Sequence, residues 1–556
     1  MARHEAILER LADRETGTIE SGVAGTSAVS ATPFLLEDFA GLATYRGKPI
    51  YNHEQVINQI DAGVEFTGKT ISFTFLDGPH TIGIYNNPKY GFAEPEGYSP
   101  FSAAEKAVAR DAMRLWDDLI PQNIVEKNGN GADIVFANTT TGPAQAWAYY
   151  PGKGVKVSSD VWTADPSVNW TNDWLQYDGY GRTTIIHEAG HALGLSHPGD
   201  YNFGDDGPDP DTLPDPITYL GDAFYAQDSE QYSIMSYFGP QETGAQPVNG
   251  ALFLVGNAQT PLLHDILTIQ AKYGADPTTR TGDTNYFANS NAGNPVYDLA
   301  QNPYPYLSVY DAGGIDTFDF STANRSVFLD LRPGAFSSAA AGAVTVAQAN
   351  AILTAFNAAT DEAQGDFPLY STQAQVDADA DFLGTLGHNR VLNDTGISGI
   401  FATTHRNISI AYNTIIENAN GGSARDYLVG NHVANVLKGN GGNDVINGLG
   451  GNDSLWGGAG ADEFRFFDNP GNDTIHDFVS GTDKIHLVEM DANSAVAGNQ
   501  AFAFIGGAAF SGTAGELRSF GAGGSLWVAG DINGDGIADF TIGTGSSLAG
   551  AGDFFL

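Results

Sequence analysis

A nine-residue pattern runs five times without a gap through residues 421–465, and a short fixed period of this kind limits the chain to stacked, repetitive folds. Every unit has glycine in its first position, Asp or Asn in its sixth and an apolar residue in its eighth. The sixth positions are Asp426, Asn435, Asp444, Asp453 and Asp462. Glycine permits a tight turn, and the apolar residue after that turn suits a short strand that points inward. The pattern therefore predicts a stack of turns and short strands.

Stacked turns would bring carboxylate and carbonyl oxygens into rows, and oxygen atoms are the ligands that Ca²⁺ prefers. A calcium-free stack is one alternative, but it would bury rows of like charge without a counter-ion. A flexible glycine-rich linker is another, but linkers lack an apolar residue at a fixed position. The expected calcium ligands in the repeats are Gly421, Asp426, Gly439, Gly441, Asp444, Gly448, Gly450, Asp453, Gly457, Ala459 and Asp462. The unit with Asn435 should bind calcium more weakly, because it lacks the anionic oxygen.

The composition indicates a folded protein that avoids other polyanions. The 556 residues include 25 Lys plus Arg and 66 Asp plus Glu, a formal net charge of −41, which repels nucleic acid and anionic membranes. The 42% of hydrophobic residues is far above the content of a solvated acidic tail. No run approaches the roughly 18 apolar residues of a membrane span, so we expect neither nucleic-acid binding nor membrane insertion. Without cysteine, any metal must be held by nitrogen or oxygen atoms.

The segment HEAGHALGLSH groups three of the 12 histidines with a glutamate. His187 and His191 are four residues apart, so on a helix they share a face and can bind one ion. Gly194 can end the helix in the left-handed conformation, so that the chain turns and His197 joins them. Glu188 is then placed to act on water at the metal. Three nitrogen ligands leave one position open, as in catalytic zinc sites; solvated histidines on a helix are the alternative.

The extended histidine motif is that of the metzincin proteases, and further segments point to one family among them. Over most of residues 90–556 the chain resembles the serralysins, secreted bacterial zinc metalloproteases with a calcium-loaded parallel β-roll behind the catalytic domain. The segments that carry the resemblance are HEAGHALGLSHPGDYN, QYSIMSYF, TRTGDT, DAGGIDTFDFS, the nonapeptides and AFSGTAGELR. The resemblance implies an α+β metzincin domain with a twisted sheet and an active-site helix, followed by the all-β roll. It also implies hydrolysis of peptide bonds by metal-activated water.

The same resemblance assigns roles to the residues of the histidine motif and of QYSIMSYF. It implies zinc ligands at His187, His191 and His197. It implies Glu188 as the general base and Met235 as the turn beneath the metal. Tyr237 would be an additional zinc ligand that swings to hydrogen-bond the oxyanion. The segment AQAWAYYPG resembles the edge strand above the zinc on which a substrate would add, with a plain core strand as the alternative.

Two more calcium sites follow from the resemblance. The ligands implied at the start of the roll are Arg280, Gly282, Thr284, Asp311, Gly313, Gly314, Asp316 and Glu417. Ile415 stands where the family has a threonine, so only its backbone carbonyl could contribute. The stretch DINGDGIAD resembles the first half of an EF-hand loop but lacks the closing glutamate, and an Asn-Gly hairpin is the alternative. Its candidate ligands are Asp531, Asn533, Asp535 and Asp539.

The length predicts two or three domains. We expect a leader with a propeptide role over residues 1–60, a catalytic domain over 61–275, the calcium-binding roll over 276–465 and a C-terminal β region over 466–556. An Ala-rich, helix-like segment at about 335–400 interrupts the roll, and we expect it to be an excursion from the domain surface. Within the catalytic domain, TISFTF predicts a strand, and SAAEKAVARDAMRLWDDLI predicts a helix that opens with a capping box.

The two ends of the chain suggest how the protein reaches its place of action. The N-terminus lacks the apolar segment of a secretory signal, and the final AGDFFL resembles the uncleaved signal by which serralysins leave Gram-negative cells through a type I exporter. Folding would follow export, because calcium binds only the native state. We expect an extracellular monomer whose partners are protein and peptide substrates, the type I exporter and a proteinaceous inhibitor.

Two other classes of protein compete with the protease prediction. A calcium-dependent adhesin with a relict protease domain would have lost a zinc ligand or the glutamate, and the sequence retains them all. A serine hydrolase fused to such repeats would need a Gly-x-Ser-x-Gly elbow, which is missing.

Overall fold

The computed structural model describes residues 44–78, 94–129, 131–152, 159–201, 217–360, 366–467 and 471–556. Most of the segment predicted as a leader, residues 1–43, lies outside these ranges. The described chain divides into a mixed α/β half up to about residue 275 and a half dominated by short strands after it.

The N-terminal half combines strands and helices in alternation. Its strands are β1 (Thr44–Tyr45), β2 (Lys48–Pro49), β3 (Thr70–Phe75), β4 (Tyr98–Ser99), β5 (Asn123–Glu126), β6 (Ile134–Thr139), β7 (Ala146–Ala148), β8 (Ser159–Ala164), β9 (Val248–Asn249) and β10 (Leu254–Val255). Its helices are α1 (His53–Ile60), α2 (Ala103–Asp117), α3 (Tyr180–Ala192), α4 (Tyr219–Asp222) and α5 (Leu263–Tyr273). The prediction for TISFTF is confirmed, because β3 covers those residues.

The main sheet of this half has the strand order β5, β3, β6, β8, β7, with β4 paired to β6. The four strands from β5 to β8 in that order are parallel, and β7 runs antiparallel to β8 at the edge. Every residue of β6 and of β8 is buried. Helix α2 begins with the predicted capping box, in which Ser102 Oγ accepts from Glu105 N and Glu105 accepts from Ser102 N. The sheet thus leaves one edge strand, β7, facing the helix α3.

The C-terminal half is a coil of short strands, most of which belong to two sheets. Its strands are β11 (Asn285–Phe287), β12 (Leu307–Val309), β13 (Thr317–Asp319), β14 (Phe328–Asp330), β15 (Phe336–Ser337), β16 (Ile408–Ile410), β17 (Asn418–Asn420), β18 (Tyr427–Asn431), β19 (Val436–Lys438), β20 (Val445–Leu449), β21 (Ser454–Trp456), β22 (Glu463–Arg465), β23 (Asn472–Ile475), β24 (Lys484–His486), β25 (Ala503–Phe504), β26 (Glu516–Ala522), β27 (Ser525–Asp531), β28 (Phe540–Gly543) and β29 (Phe554–Phe555).

Parallel pairing between successive turns builds the coil. One sheet runs β11, β13, β17, β19, β21, β23, β28, β27, β26, β25, and the other runs β14, β18, β20, β22, β24, β29. In the repeats, Leu428 pairs with Ile446 and Leu437 with Leu455, so the apolar residues of successive turns stack. All of them are fully buried, as is Phe464. The period of the sequence is therefore the period of the hydrophobic ladder inside the coil.

The segment predicted as a surface excursion packs against the body of the protein through part of its surface and keeps other residues exposed. It forms α6 (Val346–Ala359) and α7 (Gln373–Thr395). Phe356 of α6 packs edge-on against Trp174 of the N-terminal half, with ring centroids 4.8 Å apart. Val391 of α7 joins a buried cluster with Phe328 and Tyr427 of the coil. Apolar side chains of the insertion are therefore shared between the two halves.

Part of the segment predicted as a leader belongs to the folded body. Val56 and Ile60 of α1 are fully buried in the main core, and Tyr51 stacks on Tyr225 with ring centroids 4.6 Å apart. Ser196 N donates to Ile60 O at 2.7 Å, which ties α1 to the chain just before His197. None of the helices in the described ranges combines the length and apolar character needed to span a membrane.

A buried ion pair holds the end of α7 to the coil. Asp394 accepts from Arg406 Nε at 2.7 Å and lies 3.0 Å from His405 Nε2. Burial by itself raises the pKa of Asp394, but the Arg406 guanidinium and the His405 imidazole outweigh it and hold the pKa at about 2. A carboxyl pKa below its unfolded value stabilises the fold above that unfolded value, and the stabilisation is lost as the pH falls through about 2.

We predict that Asp394→Asn lowers the thermal midpoint strongly at pH 7, because it leaves the buried Arg406 without its anion, a loss typically worth about 3–5 kcal/mol. The difference from the wild type should shrink as the pH falls from 4 towards 2, where the wild-type carboxyl is itself protonated. The matched control is Asp381→Asn on the same helix, whose partner Arg325 is a surface pair worth about 0–1 kcal/mol. Equal destabilisation by the two variants at pH 7 would contradict the prediction.

Candidate metal centre and peptidase cleft

Helix α3 carries the first two histidines of the motif and ends where the sequence predicted. Gly194 has a φ of +98° and its N–H donates to His191 O at 2.9 Å, which closes the last turn. A side chain at this position would collide with Val64 O. A Cβ at Gly190 would come within 2.8 Å of Met235 Sδ, so the small residue lets α3 lie close over the methionine. The chain therefore turns back after the helix and brings His197 towards its axis.

The three imidazoles converge on one point. The Nε2 atoms of His187 and His191 are 3.1 Å apart, those of His191 and His197 are 3.0 Å apart, and those of His197 and His187 are 3.3 Å apart. Among the described residues, they form the group of histidine and acidic side chains close enough to share an ion. A tetrahedral zinc ion with bonds of about 2.0–2.1 Å separates its nitrogen ligands by about 3.3 Å.

Hydrogen bonds on the far side of the rings determine what faces this point. His187 Nδ1 donates to Ile234 O and His191 Nδ1 donates to Leu195 O, both at 2.7 Å. A neutral imidazole has one N–H, so both Nε2 atoms present lone pairs to each other. Burial lowers the pKa of His187 to about 4, and burial together with the neighbouring imidazoles holds the pKa of His191 well below its ordinary value, which keeps both rings neutral. Facing lone pairs without a proton between them fit a divalent cation and little else.

The carbonyl that orients His187 is itself held in place. Asp265 of α5 accepts from Ile234 N at 2.7 Å, from Leu262 N at 2.8 Å and from Ser233 Oγ at 2.6 Å. This buried carboxylate thus fixes the turn that contains Met235, the residue predicted beneath the metal, which is fully buried. The role of Asp265 could not be predicted from the sequence, because 30 residues separate it from the methionine and only the fold joins them.

Glu188 lines the same cleft as the histidines. Its side chain is 5% exposed, and Oε2 is buried without a hydrogen-bond partner. Burial raises the pKa of Glu188 to about 8. A divalent cation at the adjacent imidazoles would favour the carboxylate again and lower that pKa. The structure therefore places a carboxyl group with a free acceptor oxygen next to the converging nitrogens.

Tyr237 lies on the solvent side of the imidazoles. Its ring centroid is 4.5 Å from that of His197 and 6.2 Å from that of His187, and the residue is 40% exposed. Burial of the phenol raises the pKa of Tyr237, and the nearby Glu188 raises it further, so the hydroxyl remains a donor at neutral pH. Tyr201 stacks on His197 and donates to Asp228, which also accepts from Ser236 beside Tyr237. Asp228 thus holds Tyr201 and also Ser236, the residue immediately before Tyr237.

A cleft of about 800 Å³ runs between α3 and the edge strand β7. Residues Gln145, Ala146 and Trp147 line one wall, and Glu188 and Tyr237 line the other. Among the strands of the described ranges, β7 pairs with β8 alone and lies at the edge of the sheet. The edge position predicted for AQAWAYYPG is confirmed, and the addition of a substrate strand there stays a prediction.

The predicted calcium ligands near residue 280 gather at the first turns of the coil. Asp316 Oδ1 accepts from Thr284 N at 2.8 Å, and Glu417 accepts from Asp316 N at 2.7 Å. Asp316 Oδ2 is buried without a hydrogen-bond partner. Burial raises the pKa of Asp316 to about 7, and Asp311 and Glu417 add to the shift. These acidic groups fit a cation at that point.

The remaining residues of this predicted site differ in how their side chains are used. Arg280 has a φ of +51°, and its side chain donates to Asp118 at 2.6 Å, so only its backbone could serve a cation. Gly313 and Gly314 both have positive φ, and a Cβ on Gly314 would meet Gly282 O. Ile415 is partly buried beside Thr414, whose Oγ1 accepts from Asp311 N.

The aspartates of the repeats share one arrangement. The Oδ1 atom of Asp444 accepts from Asp426 N, and that of Asp462 accepts from Asp444 N, each 18 residues back in the sequence. The Oδ2 atoms of Asp444 and Asp453 are buried without hydrogen-bond partners. Burial raises the pKa of Asp444 to about 7 and that of Asp453 to about 8. These two turns thus each present an unsatisfied carboxylate oxygen.

Glycines at fixed places make room for these carboxylates. A Cβ on the first residue of four units would collide with the carboxylate of the sixth residue in the same unit. These four glycines are Gly421, Gly439, Gly448 and Gly457. Two third-position residues, Gly441 and Ala459, form a parallel bridge across successive turns.

The structure extends this row beyond the five predicted units. Asp473 accepts from Asp453 N at 2.8 Å, and Asp483 accepts from Asp462 N at 3.1 Å. Their separations of 20 and 21 residues break the period of 18, which is why a search for a fixed repeat misses them. The signal that could have found them is an aspartate followed two positions later by a buried apolar residue, Ile475 and Ile485.

Asn435 occupies its turn in a different way. Its Oδ1 accepts from Asn431 N at 2.8 Å, while its Nδ2 donates to Glu417 O at 2.8 Å and to Asn431 Oδ1 at 3.1 Å. The amide hydrogens therefore bind oxygens that a cation would otherwise bind. The polar atoms of the Asn435 side chain are therefore paired within the protein.

The stretch DINGDGIAD forms a hairpin whose acidic groups are occupied. Asp531 accepts from Gly534 N at 2.7 Å and from Gly536 N at 2.9 Å. Asp539 accepts from Ile532 N and from the side chain and backbone of Asn533, and Asp535 accepts from Ile537 N. The carboxylates bind backbone amides of their own loop. Residues 532–539 form the loop that joins β27 to the antiparallel β28, and calcium binding by this stretch stays a prediction.

Comparison with known proteins agrees with this architecture. Residues 275–365 and 378–554 match the family described as peptidase M10 serralysin C terminal. A metallopeptidase AprA of Pseudomonas marginalis is 34% identical over 527 residues, which cover 92% of each chain. A metalloprotease AprA of Pseudomonas entomophila is 34% identical over 94% of this chain and 96% of its own. A serralysin of Photorhabdus luminescens is 35% identical over 73% of this chain and 69% of its own.

These similarities extend through both halves, so they cover the cleft as well as the coil. They favour the peptidase prediction over an adhesin with a relict protease domain and over a serine hydrolase. The chain belongs to the serralysin family of metalloendopeptidases.

Proposed function

We propose that this protein is a secreted zinc endopeptidase with a metzincin catalytic domain and a calcium-loaded parallel β-roll. The observation that carries the zinc assignment is the convergence of three Nε2 atoms within 3.3 Å, with two of the rings bonded to backbone carbonyls through Nδ1. His187, His191 and His197 would hold the ion. When bound there, zinc supplies Lewis-acid polarisation of the scissile carbonyl and makes water a stronger acid.

The residues of the chain would divide the remaining work. Glu188 accepts a proton from the attacking water on its free carboxylate oxygen and delivers it to the leaving amine. Tyr237 donates its hydroxyl to the developing oxyanion, and it can also approach the ion as an additional ligand because its ring stands at the open side. The free edge of β7 pairs with an extended protein substrate as an added antiparallel strand. The walls of the cleft then exclude part of the surrounding water.

Calcium ions would hold the coil together. Buried Oδ2 atoms without partners, on Asp316, Asp444 and Asp453, support this assignment, since an unpaired buried carboxylate is costly unless a cation binds it. Residues Asp473 and Asp483 would add ligands beyond the predicted units. The fold would then depend on calcium, because the binding free energy of ions held only by the native state adds to its stability.

Export through a type I secretion system is part of the same proposal. In the folded state Phe554 and Phe555 lie in β29, paired with β24, and Asp553 accepts from Ser480 Oγ at 2.6 Å. An exporter would therefore have to engage AGDFFL before the coil closes on it. Low calcium inside the cell keeps the tail accessible. We propose a monomer that acts on extracellular proteins and is open to a proteinaceous inhibitor in the cleft.

We predict that Glu188→Ala lowers kcat/KM on casein-derived peptides by about 100-fold to 10,000-fold, the range for removing a general base. The purified variant should still contain one zinc ion, because the three histidines are untouched. Glu230→Gln, which changes another carboxyl group lining the same cleft, is the matched control and should stay within a few-fold of the wild type. Full activity in Glu188→Ala would remove Glu188 from the mechanism, and activity that survives a zinc chelator would remove the metal.

We predict that Tyr237→Phe lowers kcat by about 100-fold, or about 3 kcal/mol, with a smaller change in KM, because an oxyanion donor acts mainly in the transition state. Tyr180→Phe, at an exposed tyrosine that lines the same cleft, serves as the control. Steady-state kinetics on one peptide would decide. A change in KM alone would assign Tyr237 to substrate binding.

We predict that Asp444→Asn lowers the number of bound calcium ions and that Asn435→Asp raises it. The first change adds an amide where a buried anion lacks a partner, and the second removes the donors that fill the turn at residue 435. The two variants are mutual controls, because they make opposite changes at equivalent positions of the repeat. Calcium content by native mass spectrometry measures the effect, and equal contents in both would contradict the assignment.

A further inference from the structure

Gln145, at the start of β7, uses every hydrogen-bonding position of its side chain. Its Nε2 donates to Asn172 Oδ1 at 2.6 Å and to Thr184 Oγ1 at 3.0 Å. Its Oε1 accepts from Asn169 Nδ2 and from Thr171 Oγ1, the latter at 3.1 Å. A primary amide has two donor hydrogens and two acceptor lone pairs. The side-chain amide of Gln145, on the wall of the cleft, therefore has all of its donors and acceptors paired.

The hydrogen-bond partners of Gln145 belong to the elements that carry the histidine centre and the wall of the cleft. Thr184 lies on α3 three residues before His187, which places both on one face of the helix. Asn172, which is buried, also donates to Gln145 O at 3.1 Å and to Ala164 O at 2.8 Å at the end of β8. The same hydrogen bonds thus join β7, its neighbour β8 and the helix that bears the first two histidines.

A second group braces β7 further along its length. Glu94 is 1% exposed and accepts from Trp147 Nε1 at 3.1 Å and from Tyr149 OH at 2.5 Å. Tyr150, the next residue, packs edge-on against His191 with ring centroids 5.8 Å apart. The far end of β7 is held in this way. The position of the strand over the imidazoles therefore depends on the contacts at its start, where Gln145 lies.

We propose that Gln145 is a positioning residue, which fixes the free edge of β7 relative to α3 so that a bound peptide presents its scissile bond to the histidine centre. The inference rests on the proposed function, in which the substrate adds as a strand to β7. A slip of one residue along a strand moves a substrate by about 3.3 Å, and a misplacement of about 1 Å can cost about 100-fold in rate. Glu188, Tyr237 and the three histidines need not move for this loss to occur.

The test compares two peptides and two substitutions. Gln145→Ala removes the amide and its volume, and Gln145→Met removes the hydrogen bonds but keeps the volume. One peptide is long enough to lie along β7, and the other is confined to the residues around the scissile bond. For both variants we expect kcat/KM to fall by about 10-fold to 100-fold on the long peptide and to stay within about 2-fold on the short one. Gln176→Ala, at an exposed glutamine nearby, should change neither value.

The measurement that decides is the ratio of kcat/KM on the long peptide to kcat/KM on the short one, since a merely structural defect would lower both values together. An unchanged ratio in both variants, or restoration by Met, would overturn the proposal. If Gln145 variants lose zinc and fail to fold, Asn169→Ala removes hydrogen bonds to Gln145 Oε1 and Ala144 O from the partly buried rim, and the same ratio is measured there. Activity in Glu188→Ala would refute the proposed catalytic centre. If Glu188→Ala is inactive but the Gln145 variants leave the ratio unchanged, only the positioning role of Gln145 is refuted.

Discussion

Facing lone pairs at the three imidazoles are the interaction on which the catalytic half depends. His187 and His191 use their only N–H on backbone carbonyls, so their Nε2 atoms meet at 3.1 Å without a proton between them. The fold imposes this arrangement through Asp265, which fixes the turn that supplies one of those carbonyls. A cation bound between these nitrogens would remove the repulsion of the facing lone pairs.

The coil applies the same principle with oxygen in place of nitrogen. At Asp444 and Asp453, Oδ1 accepts from a backbone N–H of the preceding coil, and Oδ2 is buried without a hydrogen-bond partner. The hydrophobic ladder through Leu428 and Ile446 brings these charges together, and their mutual repulsion then requires cations. Asn435 is an exception among the repeats. Its side-chain amide donates hydrogen bonds of its own, so no cation is required to balance a buried charge at this position.

The insertion explains how the two halves meet. Phe356 packs on Trp174, which lies just before α3, and Val391 packs on Phe328 and Tyr427 of the coil. The segment that bears Trp174 also contains Asn169 and Asn172, which hold Gln145 and therefore β7. Packing of the insertion is thus continuous with the wall of the cleft.

The sequence by itself determined whatever depends on spacing along the chain. The fixed period predicts the stacked apolar residues of the repeats, and the four-residue spacing of His187 and His191, followed by Gly194, predicts convergence with His197, because helix and turn geometry are local. Only the tertiary structure decided which distant groups meet. Asp265 and Gln145 act on partners far along the chain, Asp473 and Asp483 rejoin the row after longer loops, and the helices of the insertion pack against both halves. Such contacts leave no local pattern, because side chains that meet through the packing of separate elements carry no fixed separation in the sequence.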